Sequence, residues 1–79
     1  MTGAFTSRRK TARAGWRTGR FDARHDLMGH LVSLRIAGLE SLAWSEIKAR
    51  ADEEASGVSA RWRAVFRAAY LRGVRSEAR

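Results

Sequence analysis

Residues 60–75 read ARWRAVFRAAYLRGVR, and this stretch decides the fold. Ala, Arg and Leu are strong helix formers, and neither a proline nor an alternating apolar pattern interrupts them. Wrapped at about 100° per residue, Trp62, Val65, Phe66, Ala69 and Gly73 share one sector of about 100°, the width of a core-facing stripe. Tyr70 lies at its edge. Arg61, Arg63, Arg67, Arg72 and Arg75 take the remaining arc, with the small Ala64 and Ala68 between them. A helix is therefore expected over 60–75, burying a Trp–Phe ridge and turning a strip of guanidinium groups outward. Leu71 and Val74 intrude on that arc and are candidate contacts for a second copy of the chain, a homodimer.

Two more helices are predicted upstream. The first covers residues 22–37: Asp22 suits the N-cap, Asp26 favours the positive end of the dipole, and Leu27, Leu31 and Leu34 form a stripe widened by Met28 and Val32. Gly29 inside it costs about 1 kcal/mol relative to Ala, which predicts a close helix–helix approach there. Gly38 follows as a natural C′ residue. The second covers residues 41–55, with Ser41 as N-cap and Trp44, Ile47, Ala51 and Ala55 as the buried stripe. Glu46 and Arg50 are correctly ordered for an i,i+4 pair. Asp52, Glu53 and Glu54 crowd its C-terminal turn, where the dipole disfavours them, so the cationic helix is expected to pack nearby. Residues 56–59 read as a turn. The expected fold is all-α: a small three-helix bundle over 21–79, open to completion by dimerisation.

Residues 1–20 contain Gly3, Gly15 and Gly19, six cations, no acid, and only Phe5 and Trp16 as large apolar groups. Such a segment has little to bury against its ordering entropy, which predicts a disordered basic arm.

Charge is sorted along the chain: +6 over residues 1–20, −3 over 21–57 and +5 over 58–79, within a net charge of +8. Two cationic ends around a mildly acidic middle suit contact with a polyanion. Of the 16 cations 14 are arginine, the side chain whose planar fork fits phosphate, although a GC-rich genome gives the same bias. Cysteine is absent, which removes disulfides and thiolate metal sites and agrees with a reducing cytoplasm. No apolar run reaches membrane-spanning length, so no membrane association is expected. Ser7, Arg8, Arg9 and Lys10 have the look of a twin-arginine export signal, but no hydrophobic stretch follows.

Catalytic chemistry is not evident. His25 and His30 lie about 140° apart on a helix, and Asp26 with His30 supplies two metal ligands without a third. The serines have no evident histidine partner, and no glycine loop could cradle a phosphate. A non-enzyme without cofactor or metal is expected. Residues 45–63 also fail as a helix-turn-helix: with Gly57 in the turn, Glu53 stands where a small residue is needed.

Binding chemistry is evident at two places. Arg8, Arg9, Lys10, Arg13, Arg17 and Arg20 are spaced along the N-terminal segment around Trp16, suited to phosphates and to an exposed base. Arg61, Arg63, Arg67, Arg72 and Arg75 line the C-terminal helix. These eleven residues are the candidate site of a small basic nucleic-acid-binding protein, for DNA or RNA. The competing expectation is an inhibitor or adaptor of the kind phages and mobile elements encode, anti-CRISPR proteins among them, which meets the anionic surface of a host protein or nucleoprotein complex.

Overall fold

The computed structural model describes residues 7–37 and 42–78. The fold is all-α: among the described residues there are four helices, α1 (Arg8–Arg24), α2 (Met28–Ala37), α3 (Leu42–Ala55) and α4 (Arg63–Ala78), and no strand. Leu27, Leu31, Leu34, Trp44, Ile47, Ala51, Ala55, Val58, Phe66, Tyr70 and Val74 form one continuous core.

The largest departure from expectation is α1. Residues 8–24, which take in most of the 1–20 segment expected to be a disordered arm, form a helix capped by Ser7, whose hydroxyl accepts from the Lys10 amide at 3.2 Å; residues 1–6 lie outside the described residues. The physical reason is a helix interface built without large side chains. Thr11, Gly15, Gly19 and Ala23 recur every four residues and are all buried on one face. That face lies directly on the backbone of α4, which is its principal partner. A methyl group at Gly15 would stand 2.5 Å from the Phe66 carbonyl oxygen, and at Gly19 it would strike the Tyr70 carbonyl. Gly73 answers from α4, its missing side chain leaving room for the Trp16 carbonyl. Small residues let the two backbones close up, so dispersion over a long contact replaces the burial of bulky groups.

The predicted 22–37 helix is split. The Asp22 carbonyl accepts from both the His25 and the Leu27 amides, at 3.2 and 2.8 Å, which ends α1, and α2 begins at Met28. Asp22 is thus in the last turn of one helix, and is not the N-cap of the next. Leu27, Leu31 and Leu34 are buried as predicted, whereas Met28 and Val32 are exposed. A side chain at Gly29 would meet nothing within 4 Å, so no close approach explains that glycine. The expected C′ residue Gly38 and the proposed cap Ser41 fall outside the described residues.

Helix α3 buries Ala43, Trp44, Ile47, Ala51 and Ala55, close to the predicted stripe. Arg50, however, turns away from Glu46 to Glu54 and Asp26, at 3.1 and 2.9 Å. Helix α4 starts at Arg63, and Ala60–Trp62 form turns before it. Its buried face is rotated from the expected one: Phe66, Ala69, Tyr70, Gly73 and Val74 are buried, and Trp62 and Val65 are half-buried. The rotation follows from α4 being covered by α1 as well as α3. It also removes Val74 as an outward contact for a second copy, since Val74 is fully buried, and leaves Leu71 half-buried against the core.

Candidate nucleic-acid interface

With its small-residue face against α4, α1 turns most of its cations outward. Arg9, Lys10, Arg13, Arg17, Arg20 and Arg24 fall within a sector of about 100° opposite Gly15 and Gly19. Arg8 stands exposed in the first turn. Arg20 and Arg24 both reach Glu77, at 2.7 and 3.1 Å, and together tie α1 to the end of α4. Their two guanidinium groups, Arg24 first, hold the Glu77 carboxyl below the usual carboxylate range. Arg8, Arg9, Lys10, Arg13 and Arg17 are exposed and have no carboxylate partner among the described residues. Three of them stand in the first turn, which holds no acid. A cation there opposes the helix dipole by about 0.3–1 kcal/mol.

The arginine arc of α4 is divided among several tasks. Arg67 pairs with Asp52. Arg63 donates to the carbonyls of Ala55 and Val58, completing the C-terminal end of α3. These contacts, with Arg50 beside Glu53 and Glu54, compensate the acidic last turn of α3 that the dipole disfavours. Arg61 lies over Trp62 and Arg75 over Trp44, 5.0 and 4.9 Å from the ring centroids. Arg72 is exposed and has no partner among the described residues. The expected continuous strip is therefore interrupted, and the unengaged charge is concentrated on α1.

Two aromatic side chains flank that charge. Trp16 and Phe21 are 36% and 61% exposed, on either side of the cationic sector. The Arg20 guanidinium lies 4.6 Å over the Trp16 ring, and the Phe21 and His25 rings are 4.3 Å apart. Trp16 is among the residues expected at the site from the sequence; Phe21 is an addition from the structure. The usable signal was the four-residue spacing of Thr11, Gly15, Gly19 and Ala23, which fixes the inward face and hence what points out.

Two further polar contacts have no local signal in the sequence. Arg35 donates to the Ala78 and Glu77 carbonyls, at 3.0 and 2.8 Å, closing the end of α4 where a cation is favoured. Buried Asp22 accepts from the Tyr70 hydroxyl and lies 3.5 Å from Arg50. Burial raises the Glu54 carboxyl beside this cluster, and the Asp26 and Glu54 carboxylates hold the Arg50 proton more tightly still.

Comparison with protein-family models, curated protein sequences and solved structures finds no match to this chain. Among the described residues no helix is long and apolar enough to cross a membrane.

Proposed function

We propose that the chain is a nucleic-acid-binding module that grips phosphates with the outward face of α1. One observation carries the reading: Arg9, Lys10, Arg13 and Arg17 share the outward face of one helix, Arg8 is exposed in its first turn, and no carboxylate of the described residues offsets them. By contrast, Arg20, Arg24, Arg50 and Arg67 are each engaged by a carboxylate of the fold. Charges without a carboxylate partner, three of which oppose the dipole of their own helix, suit a polyanion. Arg72 is a secondary contact, and the other arginines of α4 serve the bundle first. The experiment is a binding titration with labelled oligonucleotide at several salt concentrations. Five phosphate contacts give log K a slope of about −3.5 against log salt on a single strand and about −4.5 on duplex. Absence of binding at low salt, or a flat salt response, removes the proposal.

A second reading is favoured by α2. Met28, Val32 and Ile36 recur every four residues and are 60%, 53% and 83% exposed, an aliphatic stripe suited to a protein contact. It supports an adaptor or inhibitor, or a homodimer through α2. Sedimentation of wild type and Ile36→Glu, with and without nucleic acid, separates self-association from binding to the polyanion.

A further inference from the structure

We infer that the outer face of α1 also stacks unpaired bases, so that single-stranded nucleic acid is its preferred ligand; this rests on the reading of α1 as a phosphate-binding face. An open cleft of about 260 Å³ runs along the helix between Trp16, Arg17, Arg20, Phe21, Arg24 and His25. Trp16 and Phe21 are five residues apart, about 140° around the helix and about 7.5 Å along it. They therefore stand on opposite flanks of the arginine row, and a strand following the row passes between two rings.

The choice of side chains favours bases over a lipid surface. Residues Arg8–Arg24 contain no Leu, Ile, Val or Met; Trp16 and Phe21 are the large apolar groups of α1. A helix lying in a membrane interface needs a broad apolar face on which aliphatic groups supply much of the area. Two rings set among guanidinium groups match alternating bases and phosphates instead. The rings are also held in place. Arg20, tied to Glu77 at 2.7 Å, covers the Trp16 ring, and His25 lies against Phe21. Fixed aromatic groups stack bases with little ordering cost, whatever the base. A duplex hides those faces and offers only its phosphates.

The test measures binding of the full chain to labelled oligo-dT, to a blunt duplex of equal length, and to vesicles of phosphatidylserine and phosphatidylcholine. Wild type, Phe21→Leu, Trp16→Ala and the triple variant Arg9→Gln, Arg13→Gln, Arg17→Gln are compared. Phe21→Leu keeps an apolar group at an exposed position, and circular dichroism of each variant checks the fold. Loss of one stacked base is expected to weaken oligo-dT binding by about 5-fold to 150-fold. Duplex binding and the salt slope should stay unchanged. The triple arginine variant should weaken both forms and flatten the slope. Equal affinity for both forms, unaffected by Phe21→Leu, overturns the stacking inference while leaving the phosphate reading in place. Phe21-dependent binding to vesicles without discrimination between strand and duplex also overturns it. Absence of low-salt binding to either nucleic acid removes both.

Discussion

The Tyr70 hydroxyl, fully buried, donates a 2.6 Å hydrogen bond to Oδ2 of Asp22 at the far end of α1. A carboxylate in the last turn of a helix is opposed by the dipole, and a buried one loses its water as well. The tyrosine and the guanidinium of Arg50, 3.5 Å away, offset both costs. Tyr70→Phe should therefore lower stability by about 1.5–3 kcal/mol, the range for a buried hydrogen bond to a charged group. Urea unfolding at neutral pH measures it, with the slope of the transition unchanged.

The same pair sets an alkaline limit. Burial, and then the neighbouring Asp22, push the Tyr70 phenol well above its ordinary value. The unfolded chain releases that proton near pH 10, whereas the folded chain keeps it. Stability from this group is thus complete below about pH 10 and falls as pH rises further. Tyr70 is the single tyrosine of the chain, so phenolate absorbance follows it alone. The absorbance should lag behind that of a free tyrosine and rise together with loss of helicity. Tyr70→Phe, less stable at neutral pH, should approach wild type above pH 10.

Two glycines, Gly19 and Gly29, make opposite predictions for one substitution. At Gly19 an added methyl strikes the Tyr70 backbone, which cannot swing aside as a side chain can. Gly19→Ala should cost about 1–3 kcal/mol by forcing the helices apart, despite the better helix propensity of Ala. At Gly29 the methyl meets nothing, so Gly29→Ala should stabilise by about 0.5–1 kcal/mol. Thermal melts of the two variants decide the matter, and equal shifts would count against the close α1–α4 contact.

This contrast explains how much of the fold could be read in advance. Helix α3 was legible because Trp44, Ile47, Ala51 and Ala55 announce a stripe by size and spacing. The inward face of α1 carries Thr11, Gly15 and Gly19, which on a hydropathy scale resemble a linker, so an interface made by removing bulk was mistaken for a lack of one. The break at His25–Leu27 was hidden for a related reason. Asp22 is a good cap in isolation, and only the distant Tyr70 and Arg50 make it suitable at the other end of a helix. Of the candidate site, Arg8, Arg9, Lys10, Arg13 and Arg17 were legible as charges. Their fixed geometry was not, because it depends on the backbone contact with α4. Which arginines of α4 would be engaged by Asp52, by Trp44 or by the end of α3 depends on tertiary neighbours that no local pattern encodes.

The link between Glu77 and the end of α1 gives an acid dependence of defined sign. Arg24 and Arg20 hold the Glu77 carboxyl below its ordinary value. Its contribution is therefore present above the unfolded value of about 4.3 and is lost as pH falls through the folded one. Glu77→Gln should melt below wild type at neutral pH, and the gap should narrow toward pH 3. Glu54 works in the opposite sense, because burial raises its carboxyl. The difference between variants, rather than the whole-protein profile, is thus the quantity to follow. A gap that stays constant with pH would show that the ion pairs with Glu77 add no stability.

Because α1 covers α4, removing residues 1–20 should do more than weaken binding. It would expose Phe66, Ala69, Tyr70 and Gly73 along one side of α4 and take Arg20 from Glu77. A chain of this size has little stability to lose, so the truncated protein should lack a cooperative melt. Ligand should act in the opposite direction. A polyanion bound to the first turns of α1 relieves the repulsion among Arg8, Arg9 and Lys10 and stabilises the native state by mass action, by about 2.7 kcal/mol at one hundred times its dissociation constant. Differential scanning calorimetry with oligo-dT should therefore show a rise in melting temperature that disappears at high salt and in the triple arginine variant. A rise that survives high salt would place the ligand elsewhere on the molecule, away from the cationic face of α1.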